Sequence, residues 1–496
     1  MSPLLFLILV PLVAAAFIMV GSNARLTALA GSLTNLVFVL VLLAFYRQGD
    51  EQPYQFVSSL PVIPSMGISL TLGADGLSLL MLLLASLVTV AAVAEAKTPE
   101  KNPHLFYASL MFISAGGLGA FASVNLFFFY MFHELALIPT FLLIGIWGSG
   151  DRQAAAWKAT IYLALGSFVL LLGLIGLYLI QPDGMRTFDL PAIIGMADAG
   201  LLPEGNWIYL LLLVGFGILV SLFPFHTWAP QAYASAPAPA AMLHAGVLKK
   251  FGLYGLIRIA APVFPDAVVQ FSNLLLVLLV GNILYVGYVT ISQRKLDWML
   301  GYSSVMHMGY IFLGFAALNP VSLTGASLML FAHGISIAAL FALCGEIRER
   351  TGTLDFAELG GLAKPMPAFG LLFGFAAMAA IGLPGFVGFA GEILVFFGSF
   401  VAGEPLMGVT SGGRELFQFN NYQIATICAL WGVVISAVYM LRAYRRVFFG
   451  PLNDRWSGLG EISGSARIAI AALIVVMLVT GFFPGLLVKL IESSAL

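Results

Sequence analysis

Charge is what this chain has least of. Only 9% of its 496 residues are Asp, Glu, Lys or Arg, where a soluble domain carries about 25%. Cysteine is scarcer still. Cys344 and Cys428 lie in separate apolar runs, which excludes a disulfide framework and a metal-binding Cys spacing and leaves each as a small apolar side chain. The formal net charge of −1 offers no basic footprint for nucleic acid. Nucleotide motifs, Cys clusters and His pairs at ligand spacing are missing, so neither a metal nor a cofactor is expected on this chain. The isolated chain should catalyse neither redox chemistry nor ATP hydrolysis, and its energy must come from an ion gradient or a partner. Long polar segments are missing too. The longest connections, about 47–75 and 181–207, have room for short hairpins or surface helices and not for a soluble domain.

What is abundant is apolar sequence, at 60% of residues. Lipid gives a backbone no hydrogen bonds, so a spanning segment must be a helix or a strand of a closed barrel. Runs of about 20 apolar residues fit helices, whereas barrel strands alternate over about ten. The chain reads as an all-α polytopic membrane protein with a single membrane domain, 1–496. Fourteen spans are expected: 3–21, 26–46, 76–95, 105–122, 124–148, 155–180, 208–235, 240–262, 271–292, 297–317, 323–347, 368–402, 420–447 and 467–490. The first lacks a basic lead-in and is long enough to span, so it reads as a retained helix. Two runs are interrupted, 208–235 by Pro224 and Pro230, and 368–402 by Leu383-Pro384-Gly385. Proline frees backbone groups that only protein or a wet cavity can satisfy. Broken helices near the midplane are common at transport sites.

Lysine and arginine set orientation. With both termini outside, fifteen fall on inside loops, among them Arg25, Lys97, Lys101, Arg152, Arg348 and Arg442. Five fall outside: Arg47, Arg186, Arg258, Arg414 and Lys489. The bias puts the termini in the periplasm or an equivalent compartment.

A charge at the bilayer centre costs roughly 2.5–3.5 kcal/mol on insertion scales, so ionisable residues deep in apolar runs need a reason. Glu134 sits in VNLFFFYMFHELALIPTFLLIGIW, and Lys249 and Lys250 sit in AAMLHAGVLKKFGLYGLI. His307 and His333 occupy two later runs, and Glu392 lies in FVGFAGEILVFFGSF. Spread over separate helices, they suggest a route for ions or protons. Plainer readings exist for each. For Glu134, His307 and His333 the plainer and less favoured reading is a neutral hydrogen-bonder between helices. Lys250 would serve as a helix-end residue snorkelling to water, which its depth in the run makes awkward. Lys249 and Lys250 point about 100° apart on a helix, so one partner cannot serve both. His226 suits a structural hydrogen bond at the kink after Pro224, and His133 adjoins Glu134 but projects elsewhere. Asp75, Lys158 and Asp297 lie near span ends and read as fold residues, with Asp75-Gly76 a helix start.

Seven stretches carry a resemblance, in order: DGLSLLMLLL at 75–84, FHELALIPTFLLIGIWG at 132–148, LFPFHTWAPQAYASAPAPAAMLHAGVLKKFGLYGLIR at 222–258, QRKLDWMLGYSSVMHMGY at 293–310, AHGISIAALFALCGEI at 332–347, ELGGLAKPMP at 358–367 and IGLPGFVGFAGEILVFFGSF at 381–400. They resemble the antiporter-like membrane subunits of proton-pumping NADH:quinone oxidoreductase (respiratory complex I), which are related to subunits of multisubunit Na⁺/H⁺ antiporters. Glu392 favours the M-type, since the other types mostly carry Lys there. The short tail after the fourteenth span lacks the lateral helix of the L-type.

The resemblance implies two inverted five-helix repeats, spans 4–8 (about 105–262) and 9–13 (about 271–447), with helices 7 and 12 discontinuous. Spans 1–3 (about 1–96) precede them and a last span (about 467–490) follows. It implies a proton-transfer axis of Glu134, Lys250, His307, His333 and Glu392, with Lys249, His244 and His226 as lesser candidates; His244 is closer to the L-type pattern. The chain would be a non-redox subunit of the enzyme, moving protons while quinone is reduced elsewhere. NADH, FMN, iron–sulfur clusters and quinone would belong to partner subunits, and L-type and N-type subunits would be its neighbours. Its place would be an energy-transducing membrane, the bacterial inner membrane.

One departure stands out. The family carries a lysine seven residues before the histidine of the PFH motif, and here that position is Leu219. Gln231 likewise replaces an acid. In the family that lysine pairs with the fifth-span Glu, so Glu134 lacks its usual counter-ion. Removing one partner of a buried pair costs about 3–5 kcal/mol unless the other is neutralised. Either Glu134 is protonated, or Lys249 or a protonated His244 replaces the lysine; replacement by Lys249 is the favoured expectation. Two other readings remain: a subunit of a Na⁺/H⁺ antiporter, or a structural spacer whose channel is impaired at Leu219.

Overall fold

Helix starts are set by side chains that accept first-turn N–H groups. Asn23, Asp75, Asn125, Asp151 and Asn319 each do so, satisfying donors that a helix leaves free. The computed structural model describes residues 2–49, 52–403, 407–411, 414–462 and 464–494, and side chains outside 404–418. The side chain of Arg414 lies outside the described residues.

The helices are α1 (Pro3–Met19), α2 (Ala24–Phe45), α3 (Gly76–Glu95), α4 (Pro103–Ala122), α5 (Leu126–Trp147), α6 (Arg152–Leu179), a short α7 (Leu190–Asp198), α8 (Asn206–Val220), α9 (Trp228–Ser235), α10 (238–263), α11 (Ser272–Ser292), α12 (Leu296–Ala316), α13 (Pro320–Thr351), α14 (Pro367–Ile381), α15 (Val387–Phe400), α16 (Asn421–Phe448), α17 (Gly464–Phe482) and α18 (Gly485–Glu492). Among the described residues, nine helices are long and apolar enough to cross a membrane singly, and α1, α8, α14 and α15 are shorter apolar helices. The last expected span is not one helix: Pro484 divides it into α17 and α18.

The fold is not purely helical. Within the 47–75 connection β1 (Gln55–Ile63) pairs antiparallel with β2 (Ile68–Ala74), and β3 (Met407–Ser411) pairs antiparallel with β4 (Arg414–Gln418). The other long connection holds α7, as a surface helix.

Helix α13 is apolar all round and buried along nearly its whole length, which marks the centre of a bundle. It packs against α3, α10, α12 and α15. Helices α6, α16 and α17 lie at the rim and turn Phe168, Trp431 and Val475 outward, the face that lipid favours.

Both interrupted runs stop in the same way. α8 ends on Ser221 and α14 on Gly382, each left-handed (φ 69° and 81°), and a leucine follows in both. The chain resumes as α9 and α15. Pro230 does not break anything. It lies in the first turn of α9, where a missing N–H is harmless. Backbone groups at the first break are met by side chains: Asn282 of α11 donates to Ser221 O (3.2 Å) and accepts from Phe223 N (2.6 Å), and Trp228 donates to Ile218 O (3.1 Å).

α10 is not a uniform helix. It widens to π-geometry at 244–248 and 256–260, and α11 does so at 281–285. Such segments interrupt the regular ladder and recur at functional sites.

A buried ion pair locks the fold at one end. Asp75 caps α3 by accepting from Ser78 N and also pairs with Arg258 of α10. Arg258 was expected in an outside connection; it lies inside the bundle, 3% exposed, beneath the rings of Tyr54 and Tyr254. Burial pushes the Tyr54 phenol up to about 12, so it faces the guanidinium as a neutral ring. Asp297 likewise pairs with Arg348 (2.6 Å).

Candidate functional site

The first broken helix and the π-segment place the lysines. Lys250 is fully buried. Its Nζ donates to the carbonyl of Ala245 inside the π-segment (2.7 Å) and lies 2.7 Å from Nδ1 of His333 on α13. Lys249 turns the other way. It donates to Ser304 Oγ of α12 (3.4 Å) and stands over the Tyr233 ring. The two ammonium groups therefore serve different partners, as their helical spacing requires.

His333 and His307 follow, ring centres 5.5 Å apart. His307 Nδ1 lies 2.8 Å from Ser303 O and Nε2 lies 2.9 Å from Ala380 O, a carbonyl at the stop of α14. A neutral imidazole has one N–H and an imidazolium has two. Only the charged ring can donate to both. His333 Nε2 is buried with no partner among the described residues.

A small cavity of about 10 Å³ joins these groups to Glu392, with Ser303, His307, His333, Ser336, Ala380 and Glu392 on its wall. That is room for about one water. Glu392 comes from α15 and is 4% exposed. Its carboxylate lies against Gly382 at the break, where any side chain would collide with it. The second break thus does two things: it frees Ala380 O for His307 and makes space for Glu392.

Glu134 does not join this line. It is 31% exposed on the outer face of α5, while the neighbouring His133 is the one turned inward, at 5%. His133 stacks on Phe251 of α10 (4.2 Å between centroids), and its Nδ1 lies 3.5 Å from Glu134 Oε1, so it does not project away from Glu134 as expected. Glu134 also accepts from Ser167 of α6 and bonds Tyr130. Leu219 occupies the space beside Gly166, next to Ser167. The expected replacement of the missing lysine by Lys249 is not what the geometry provides. Lys249 faces α12, and hydrogen bonds from Ser167 and Tyr130 stand around Glu134 instead.

The lesser candidates are also placed. His244 contacts Tyr233 (Nδ1 to OH 3.3 Å) within electrostatic reach of His133, Lys249 and Lys250. His226 sits in the first break, stacked on Phe223, with a backbone hydrogen bond at Pro224. Among the described residues no group of His, Cys, Asp or Glu offers three metal ligands.

Sequence reasoning missed Tyr233, Ser303, Ser304, Tyr439 and Asn282. Tyr439 of α16 bonds Ser303 Oγ (2.8 Å). The adjacent Ser303 and Ser304 thus tie α16 and Lys249 to one turn of α12. The lone Asn in the apolar run GNILYVGY was the signal available for Asn282.

A polytopic bundle with two broken helices and a buried line of Lys, His and Glu is the architecture of a membrane ion-translocating subunit. Residues 123–417, more than half of the chain, match the family model described as NADH:quinone oxidoreductase/Mrp antiporter, transmembrane. The chain belongs to this family. It is 37% identical over 492 residues to NAD(P)H-quinone oxidoreductase chain 4 2 of Thermosynechococcus vestitus, covering 96% of this chain and 88% of that one. A chain of respiratory complex I from Thermus thermophilus with bound NADH matches with TM-score 0.87 at 27% identity, covering 99% of this chain and 98% of that one. A chain of the Mrp complex from a Dietzia species reaches TM-score 0.81 at 22% identity, over 99% and 96%, and shares the fold.

Proposed function

We propose that this chain is the M-type, proton-translocating subunit of a complex I-type NAD(P)H:quinone oxidoreductase, moving protons while quinone is reduced in partner subunits. The observation that carries the reading is the buried line Lys250–His333–His307–Glu392 across α10, α13, α12 and α15, its first pair hydrogen-bonded and its last three members around one small cavity. Each member can hold or release a proton, and histidine suits a relay near neutral pH. Lys250 and His333 share one hydrogen bond, so a proton crosses it without any helix moving. A single water in the cavity would link the imidazoles to Glu392.

Glu134 stands at the start of the expected axis but on the outer face, with the exposed Met131 and Ile138 one turn to either side on α5. A carboxylate there cannot face lipid cheaply. A neighbouring membrane subunit of the L-type or N-type would cover it and bring a proton or a cation to it. His133, stacked on Phe251, would connect it inward.

The proposed orientation rests on the charges near the bundle ends. Lys97 in a connection and Arg25, Arg348, Arg350 and Arg442 near helix ends lie toward the side assigned to the inside, which supports a positive cytoplasmic face with both termini on the periplasmic side of a bacterial inner membrane. The test is Glu392→Gln in the whole assembled complex. Proton translocation should fall sharply while the complex still assembles. Unchanged pumping and electron transfer would instead make the chain a spacer.

A further inference from the structure

A second cavity, of about 290 Å³, opens where α3, α5 and α13 finish and α10 begins. Glu95, the last residue of α3, forms part of its wall and is 6% exposed. Its Oε2 has no hydrogen-bond partner among the described residues. Its Oε1 lies against Gly345 of α13, where an added methyl would sit 2.8 Å away.

The charges around Glu95 are engaged with one another. Lys97 pairs with Glu349, Arg350 with Glu346 (3.1 Å) and Arg348 with Asp297 (2.6 Å). Tyr107 of α4 and Cys344 of α13 lie within its electrostatic reach, and Arg25 of α2 donates to the carbonyl of the preceding Ala94 (3.1 Å). The start of α10, Pro237-Ala238-Pro239, adds no titratable group. A carboxylate buried without a donor is poorly held as an anion, and the cavity beside it has room for water. From Ala238 the helix climbs about 1.5 Å per residue to His244, which meets Tyr233, whose ring lies under Lys249.

We propose that Glu95 is the proton-collecting group of this cavity. It takes protons from water on the Lys- and Arg-rich side and passes them toward His244 and Lys249. This rests on the proton-translocation reading above. In each transfer a proton leaves hydronium for the carboxylate, and then leaves the carboxyl for the next base inward.

The test uses vesicles carrying the complete complex, with proton uptake driven by quinone reduction. Glu95→Gln keeps the size and removes the titration. It should slow uptake by about tenfold or more and shift the alkaline limb of the pH profile to lower pH, with Glu95→Asp restoring both. A carboxyl with only a structural role would leave that limb in place. Assembled Glu95→Gln with the wild-type rate and profile overturns the proposal. If Glu392→Gln abolishes pumping in the same assay, the central line survives that failure; if neither variant matters, both readings fall. Should Glu95→Gln not assemble, a hydrophobic carbodiimide applied to the wild-type complex decides. It should form an N-acylurea at Glu95, faster at lower pH, and an unlabelled Glu95 peptide overturns the assignment.

Discussion

Lys250 Nζ and His333 Nδ1 stand 2.7 Å apart in the centre of the bundle. An ammonium donates to Nδ1, and an amine accepts from Nδ1–H. One contact therefore serves both proton distributions. Ala245 O holds Lys250 in place in either state.

His307 joins the proton line to the second helix break, so its removal should have two separable effects. His307→Leu leaves Ala380 O unpaired, a loss of about 1–3 kcal/mol. Thermal unfolding of the solubilised complex should show it as a lower melting temperature. His307→Gln can still donate to Ala380 and should recover stability without recovering pumping.

Asn282 is expected to matter for the first break. It serves Ser221 O, Val305 O and Phe223 N together. Asn282→Leu orphans Ser221 O and Phe223 N at about 1–3 kcal/mol each, while Val305 O keeps its place in the α12 ladder, and the yield of assembled complex should drop. A normal yield and melting temperature would mean that the break is held by other contacts.

Asp75 and Arg258 call for a double-mutant cycle. Asp75→Leu alone leaves a buried guanidinium and should cost about 3–5 kcal/mol. Adding Arg258→Met should recover much of the loss, because two apolar side chains replace two desolvated charges. Melting of the four complexes measures the coupling.

Glu134 is expected to respond to α6 and not to Lys249. Ser167→Ala removes a hydrogen bond from its carboxyl and should shift the Glu134 carboxyl band in infrared difference spectra. Lys249→Leu should leave that band where it is while slowing transfer toward α12. A shift with Lys249→Leu would restore Lys249 as the counter-ion.

Much of this was legible from residue types alone. Prolines 224 and 384 marked both breaks, since a span with a missing N–H must open there. The buried Lys250, His307, His333 and Glu392 stood out because charge in an apolar run is costly. Other features depend on packing. Whether Glu134 or His133 faces inward is a matter of about 100° on α5, and the neighbouring helices decide it. Both residues sit in equally apolar sequence on either side. The π-segments leave no signature in composition, yet the one at 244–248 exposes the carbonyl that Lys250 uses. Tyr233 and Ser304 looked ordinary because their role comes from α10 approaching α12. The pairing of 55–63 with 68–74 was one of two options, a short hairpin or a surface helix.

The proton-to-electron ratio of the assembled complex carrying Lys250→Met tests the buried line most directly. Methionine fills the same space and cannot hold a proton. The ratio should drop below that of the wild type, with the complex intact and quinone still reduced. An intact complex with the wild-type ratio would contradict a proton path through Lys250 and His333.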